Sequence, residues 1–119
     1  MRILMLSDVY FPRINGVSTS IQTFRRDLGA MGHTVDLIAP EYPARAGHGE
    51  SGIERIPSRF LFFDPEDRMM SGRAIHRKLP ELAEAGYDLV HIQTPFIAHY
   101  TGLRVARDLG VPVVETYHT

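Results

Sequence analysis

The sequence has 119 residues and is 44% hydrophobic, which is typical of one globular domain. Its formal net charge is -1 and no basic motif with interleaved aromatic residues occurs, so nothing indicates a nucleic-acid partner. Cysteine is absent, which excludes disulfide scaffolds, thiol catalysis and thiolate metal sites. The first apolar run becomes polar at Ser7 and is too short for a signal peptide or a membrane span, so we expect a cytoplasmic, soluble domain.

A strand and a helix are predicted at the amino terminus. Residues 3–6, I-L-M-L, form an uninterrupted apolar run, which indicates a central parallel strand covered on both faces. In the helix over residues 21–31, Gly29 is interpreted as a point of close packing against the sheet, and Gly32 ends the helix. Its apolar stripe consists of Ile21, Phe24, Leu28 and Met31.

The loop between this strand and helix, D-V-Y-F-P-R-I-N-G-V-S over residues 8–18, is the first candidate site. In an open parallel sheet it lies at the carboxyl end of the strand, where ligands bind, and the next helix directs its unpaired N–H groups there. Asn15 and Gly16 tolerate a left-handed backbone, Gly16 lacks a Cβ, and Ser18 is the predicted N-cap. These residues fit a phosphate close to the main chain, although an ordinary capped turn has the same composition.

The middle of the chain continues the alternation. Residues 35–39 and 53–56 are predicted strands, joined by a mobile Gly-rich loop. Residues 60–63, F-L-F-F, are interpreted either as a buried strand or as an exposed apolar lip. Residues 69–86 are predicted to be helical, with Pro80 kinking this helix or starting a second one. The basic side of this helix is either a solvated face or a contact with an anionic membrane surface, and it consists of Arg73, His76, Arg77 and Lys78.

The last part of the chain completes a parallel sheet. Residues 87–92 and 111–114 are predicted strands, and residues 97–109 a helix that Gly110 ends. This alternation predicts an α/β fold with a Rossmann-like, doubly wound parallel sheet in the order 3-2-1-4-5. The fifth strand lacks a covering helix, so we expect a longer protein. The side chains expected to face the sheet from the last helix are Ile97, Tyr100, Thr101, Val105 and Leu109.

Several catalytic motifs are missing from the sequence. The absence of G-x-G-x-x-G after the first strand, of G-x-x-x-x-G-K-[ST] and of G-x-S-x-G disfavours dehydrogenases, P-loop enzymes and acyl hydrolases. His91 lies inside a strand and is expected to be a hydrogen-bonded core histidine. His118 follows the fifth strand beside Tyr117 and Thr119, so polar groups converge where strands end and predict a ligand site. No His, Asp and Glu have the spacing of metal ligands.

Four segments carry a resemblance to a known family. They are M-R-I-L-M-L-S-D-V-Y-F-P-R-I-N-G-V, M-G-H-T-V-D-L-I-A-P, Y-D-L-V-H-I-Q-T-P-F and L-G-V-P-V-V-E-T-Y-H-T. In this order they resemble the amino-terminal half-domain of family 4 glycosyltransferases, which have the two-domain GT-B fold. The resemblance implies that residues 1–119 are a partial, acceptor-side domain, that the carboxyl-terminal nucleotide-sugar domain is absent, and that this fragment alone is inactive.

The resemblance also implies roles for single residues. The segment Asn15, Gly16 and Val17 matches the glycine loop that admits the diphosphate of a nucleotide sugar, although many members have Gly-Gly before the valine. His118 matches a histidine near the donor sugar and the reaction centre, and is the implied catalytic residue. No metal or other cofactor is implied. The implied acceptor-binding residues are Thr94, Pro95, Tyr117 and Thr119.

The implied function is retaining transfer of a sugar from a nucleoside-diphosphate sugar to a hydroxyl acceptor. The segment F-I-A-H-Y-T-G-L-R-V-A and the Y-H-T ending resemble lipid-directed members, so a lipid acceptor and a peripheral contact with the inner face of a membrane are expected. Two alternatives remain open. One is a nucleotide-sugar epimerase of the same fold, which the Y-H-T ending disfavours, and the other is a non-catalytic, flavodoxin-like module that binds nucleotides or proteins.

Overall fold

A computed structural model describes residues 1–42, 51–61 and 64–118, which form strands and helices in alternation. The strands are β1 (Arg2–Leu6), β2 (Thr34–Pro40), β3 (Ile53–Ile56), β4 (Ser58–Leu61), β5 (Asp64–Met70), β6 (Leu89–Ile92) and β7 (Val113–Glu115). The helices are α1 (Gly16–Ala30), α2 (Gly72–Arg77), α3 (Leu79–Ala85) and α4 (Ile97–Leu109).

Five of these strands form one parallel sheet in the order β3-β2-β1-β6-β7. Strand β1 lies in the middle, because Ile3 is in register with Val35 of β2 on one side and with Leu89 of β6 on the other. Strands β6 and β7 are the fourth and fifth strands of this sheet along the chain. The predicted order 3-2-1-4-5 and the Rossmann-like α/β fold are therefore confirmed.

The side chains of β1 divide the core into two layers. Successive residues of a strand point to opposite faces, so Leu4 and Leu6 pack in one apolar cluster and Ile3 and Met5 in the other. Helices α2, α3 and α4 cover the first cluster, and α1 covers the second. Both faces of β1 are thus removed from water, which is why its sequence is apolar without alternation.

Strands β4 and β5 form an antiparallel pair outside the parallel sheet. The sequence predicted a helix from residue 69, but the chain remains extended to Met70, which pairs with Ser58. Helix α2 begins only after Ser71, whose hydroxyl oxygen accepts the N–H of Ala74. Of the residues 60–63, the first two end β4, and residues 62–63 lie outside the described part of the chain, as does most of the predicted Gly-rich loop.

The helical segment after β5 is divided in two. Helix α3 begins at Leu79 with Pro80 in its first turn, so Pro80 starts a second helix, as one of the two interpretations had it. On the basic side, Lys78 forms an ion pair with Glu54 of β3, while Arg73 and Arg77 are exposed.

Two predictions about helix surfaces are wrong. Met31 is 71% exposed and Tyr100 is 67% exposed, so neither faces the sheet. In α4 the buried side is made of small residues and one valine, because a narrow helix surface lies closer to the sheet than Tyr100 would permit. These buried residues are Ala98, Gly102, Val105 and Ala106.

Close packing of a helix on the sheet occurs at Gly102 and not at Gly29. A Cβ atom on Gly102 would lie 2.7 Å from Cγ1 of Ile92, closer than such atoms approach. A Cβ atom on Gly29 would have no atom within 4 Å, and this residue is exposed. The interpretation of Gly29 as a packing glycine is therefore wrong.

Candidate functional site

Helix α1 begins in the loop that follows β1. Its N-cap is Asn15, whose Oδ1 accepts the N–H of Ser18 at 2.9 Å. The predicted cap Ser18 is wrong, because this residue is buried in the first turn and its hydroxyl donates to the carbonyl of Arg13 at 2.6 Å. The left-handed backbone that Asn15 and Gly16 tolerate is not used here: Asn15 has an extended φ of -155°, and Gly16 does not have a positive φ.

The start of α1 has the features of an anion site. The N–H groups of Gly16 and Val17 precede the first intrahelical hydrogen bond, which runs from Thr19 to the carbonyl of Asn15 at 3.1 Å. Apart from its chain neighbours and the backbone of its own helix turn, no atom of the described residues lies within 4 Å of the place where a Cβ of Gly16 would be, and the first turn contains no acidic residue. A negatively charged group can therefore approach the positive end of the helix dipole.

Asp8 follows β1 and connects this loop to the start of α4. Its carboxylate accepts the hydroxyl of Thr94, the N–H of Ala98 at 3.1 Å and the N–H of Phe96 at 3.3 Å. The side chain of Phe96 cannot cap α4, so Asp8 supplies the cap. Burial raises the pKa of Asp8 above 3.8, and the hydrogen bonds from Thr94 and from the main chain of α4 oppose this shift.

His91 is the hydrogen-bonded core histidine that the sequence predicted. It is buried in β6, its Nε2 lies 2.6 Å from Oγ1 of Thr116, and the ring of Phe24 packs edge-on against it. Burial lowers the pKa of His91 below 6.5, and the charge of protonated His118 lowers it further.

The segment after β7 is held by the segment after β6. The N–H of Thr116 donates to the carbonyl of Ile92 at 3.0 Å, and Nε2 of His118 donates to Oε1 of Gln93 at 2.9 Å. Gln93 is 1% exposed, and its own N–H donates to the carbonyl of Leu6 at the end of β1. The carboxyl ends of three adjacent strands are thereby joined around His118.

These segments surround one open cleft of about 770 Å³ at the carboxyl edge of the sheet. Six of the residues predicted for the site line it, namely Asn15, Val17, Thr94, Pro95, Tyr117 and His118. Gly16 lies between two of these residues without lining the cleft itself, and Thr119 lies outside the described residues. The loop before α1 and the segment after β7 therefore open onto the same space, as the predicted sheet order required.

Several lining residues were missed by sequence reasoning. Gln93 directly follows the apolar strand β6, and a polar residue in this position was the available signal. Asp8 and Arg13 lie in the predicted loop over residues 8–18, but the sequence analysis gave them no role of their own. Arg13 adds a positive charge to the lining beside Asn15.

One wall of the cleft is apolar and exposed. Phe96 is 66% exposed, and it lies with Met69, Ile97 and Tyr100 next to the Thr94–Pro95 loop. We call these four residues the apolar wall. Large exposed apolar side chains in a concave site favour the binding of an apolar group.

Within residues 1–42, 51–59 and 69–118, whose side chains the structure describes, no three His, Asp or Glu side chains are grouped as ligands for a metal ion. Over the same ranges, no helix has both the length and the apolar composition that crossing a bilayer requires.

The family of the chain follows from a match over most of its length. Residues 14–119 match the model of Glycosyltransferase Family 4. The chain belongs to this family. The resemblance carried by the four sequence segments is therefore confirmed, and the matched range contains every predicted site residue.

Characterised relatives match the whole chain. An alpha-monoglucosyldiacylglycerol synthase of Streptococcus pneumoniae is 36% identical over 119 residues, and the match covers 100% of this chain and 27% of that protein. A GDP-mannose-dependent alpha-mannosyltransferase of Mycobacterium tuberculosis is 33% identical, and the match covers 100% of this chain and 32% of that protein. A phosphatidyl-myo-inositol mannosyltransferase of the same organism is 29% identical, and the match covers 100% of this chain and 32% of that protein. The chain thus spans about a third or less of the length of these relatives.

Solved structures share the fold at low sequence identity. The carboxyl-terminal domain of the PF1911 hydrogenase from Pyrococcus furiosus is 17% identical with a TM-score of 0.59, and the match covers 97% of this chain and 90% of that one. A UGT transferase from Siraitia grosvenorii, solved in complex with UDP, is 17% identical with a TM-score of 0.53. The match covers 98% of this chain and 28% of that one. These likenesses concern the fold alone.

Proposed function

We propose that the protein containing this chain is a retaining hexosyltransferase of two-domain GT-B architecture. It transfers a sugar from a nucleoside-diphosphate sugar to the hydroxyl group of a lipid. The observation that carries this proposal is the single cleft onto which the start of α1, His118 and the apolar wall all open.

The start of α1 suits the diphosphate of the donor. When the bond between sugar and phosphate breaks, negative charge grows on the leaving diphosphate, and free N–H groups at a helix start stabilise it. Gly16 and Val17 provide such groups, and Arg13 adds a positive charge to the lining. No step of this kind requires a metal ion, and we propose that none is used.

The opposite side of the cleft suits an acceptor with a hydrocarbon part. Thr94 and Pro95 line the cleft together with the apolar wall, so an acceptor could place its hydroxyl against polar groups and its hydrocarbon chain against the apolar side chains. Two relatives have a diacylglycerol or a phosphatidyl-inositol in their names. Tyr117 is 85% exposed at the edge and is proposed to contact the acceptor.

His118 is proposed to hydrogen bond to a reacting sugar, and we do not assign it the role of a general base. Its position in the lining of the cleft, together with residues of the α1 start and the apolar wall, supports this role. Since the relatives are about three times longer, we propose that a second domain brings the nucleotide, and that residues 1–119 alone are inactive.

The test uses the full-length protein with UDP-sugars and GDP-sugars, with and without a lipid acceptor. Transfer with retained anomeric configuration supports the proposal. Epimerisation of the donor sugar, or binding without turnover, would instead favour the two alternative functions. Gly16→Val should abolish transfer without loss of fold, because the new side chain enters open space that the diphosphate needs. Unchanged turnover in this variant would remove the α1 start from the site.

We also propose a peripheral contact with the inner face of a membrane through the exposed arginines of α2. Anionic vesicles should bind the full-length protein, and Arg73→Glu or Arg77→Glu should weaken this binding. Arg26→Glu, an exposed change on α1, is the matched control. Equal binding by all variants would leave α2 as a solvated face.

A further inference from the structure

Gln93 connects two histidines that differ in their surroundings. Its Oε1 accepts the Nε2 proton of His118 at 2.9 Å. Its amide nitrogen lies 3.2 Å from Nε2 and 3.4 Å from Nδ1 of His91. Because Gln93 is fully buried at the base of the cleft, both ends of its amide need partners.

The amide of Gln93 lies with its nitrogen against His91 and its oxygen against His118. An amide nitrogen only donates hydrogen bonds, and a neutral imidazole has one nitrogen that accepts. Burial lowers the pKa of His91, so its ring is neutral at neutral pH. Whichever of its nitrogens has the lone pair, the amide nitrogen of Gln93 lies within reach of it. The carbonyl oxygen, at the other end of the amide, faces His118 at 2.9 Å.

This arrangement determines the tautomer of His118. The Gln93 oxygen only accepts, so Nε2 of His118 carries the proton, and Nδ1 of the neutral ring is left with a lone pair. The other titratable side chains of the cleft lining are Asp8, Arg13, Tyr100, Glu115 and Tyr117. Both carboxylates in this list already have partners other than His118, since Asp8 caps α4 and Glu115 contacts Nδ1 of His99 at 2.9 Å.

We propose that Gln93 is a positioning residue that holds His118 in the Nε2–H tautomer, so that Nδ1 accepts a hydrogen bond from a hydroxyl group of the bound sugar. The inference rests on the proposed function for the identity of that sugar. It adds one requirement for the substrate: the group that contacts Nδ1 of His118 must be a hydrogen-bond donor. Protonation of His118 would add a second N–H and remove this contact, so the pH profile of activity should have an acidic limb.

The tautomer is measured by NMR on full-length protein labelled with ¹³C and ¹⁵N in histidine, with the His118 signal assigned from His118→Gln. We expect the Nε2–H form in the wild type. In Gln93→Leu we expect a mixture of tautomers, because the accepting oxygen is gone. A predominant Nδ1–H form in the wild type, or no change in Gln93→Leu, would overturn the proposal.

A pH profile of kcat/KM provides the second readout. In Gln93→Glu a carboxylate faces His118 and stabilises its protonated form, so the acidic limb should move to higher pH by about 1 to 3 units. Gln22→Glu adds the same charge at an exposed position of α1 and should leave the limb unchanged. A folded Gln93→Glu variant with an unmoved limb would contradict the proposal, since a purely structural glutamine would change stability alone.

Donor analogues test the hydroxyl itself. Fluorine in place of a hydroxyl can accept a hydrogen bond but cannot donate one. With the wild type, one deoxyfluoro sugar substrate should therefore have a kcat/KM about 3- to 10-fold lower than that of the unmodified substrate. With His118→Ala, the same fluorine should change kcat/KM little. Equal use of every fluorinated donor would exclude an acceptor role for Nδ1. If no donor sugar is transferred at all, the proposed function fails, while the NMR result still decides whether Gln93 determines the tautomer.

Discussion

The carboxylate of Asp8 accepts the main-chain N–H of Ala98 at 3.1 Å, in a helix that begins about 90 residues further along the chain. The first strand and the start of α4 are therefore joined by a side chain instead of by the sheet. The same carboxylate accepts the hydroxyl of Thr94, so the Thr94–Pro95 loop is held by a residue of the loop that follows β1.

We predict that Asp8→Ala lowers the free energy of unfolding by about 1 to 3 kcal/mol, because it leaves the first N–H groups of α4 without their partner. Asp8→Asn should lower the free energy of unfolding by less, since its amide oxygen still accepts the N–H of Ala98. Urea denaturation of the full-length protein measures both. Asp27→Ala, an exposed change in α1, is the control, and an equal loss there would contradict the capping role of Asp8.

Two glycines in helices should respond to alanine in opposite directions. Gly29→Ala should raise the free energy of unfolding by up to about 1 kcal/mol, because the new methyl group enters open space in a helix interior. Gly102→Ala should lower it by about 1 to 3 kcal/mol, because Ile92 would have to move. Thermal unfolding of the two variants measures these changes. A loss of stability in Gly29→Ala would indicate that Gly29 does pack closely against another part of the protein.

The lowered pKa of His91 predicts a stability that depends on pH. Between this lowered value and 6.5, the unfolded chain binds more protons at His91 than the folded protein does. The free energy of unfolding should therefore fall as the pH decreases below about 6.5. Melting curves from about pH 7.5 to about pH 5.5 should be less pH-dependent in His91→Phe than in the exposed control His76→Gln. Equal slopes would mean that His91 is not responsible.

The apolar wall should determine the use of long-chain acceptors. Tyr100→Ser and Phe96→Ser should raise the KM for a long-chain lipid acceptor by about tenfold, because each ring loses apolar contact area. Transfer to a short, soluble acceptor should be unaffected. Leu103→Ser is the matched control, since Leu103 is exposed on the same helix but does not line the cleft. A similar increase for Leu103→Ser would indicate a general effect of α4 on folding.

The sheet could be predicted because its signals are local. The apolar run of β1, the period of α4 and the glycine at position 110 each depend on a few neighbouring residues, and the strand order followed from right-handed crossovers. The hairpin could not be predicted in this way. Its second strand is stabilised by pairing with β4, and the apolar Met69 and Met70 fit a helix equally well.

The same difference applies to the site. Asn15 lies just before a helix and His118 three residues after a strand, where parallel-sheet geometry collects ligands, so both could be predicted from the sequence pattern. Thr94 was implied by the family resemblance alone. The cap on α4 and the orientation of Gln93 depend on contacts between distant parts of the chain. The rotation of α4 likewise depends on how closely Gly102 lets it approach Ile92, so the exposure of Tyr100 had no local signal.

Met69 reaches the cleft from β5, which pairs with β4 and lies outside the parallel sheet. Substitutions, insertions or deletions in this hairpin leave the register between β1 and its neighbours unchanged. Evolution can therefore reshape this edge of the cleft while the central scaffold is inherited intact. Among homologues that glycosylate different compounds, we expect divergence to concentrate in this antiparallel pair.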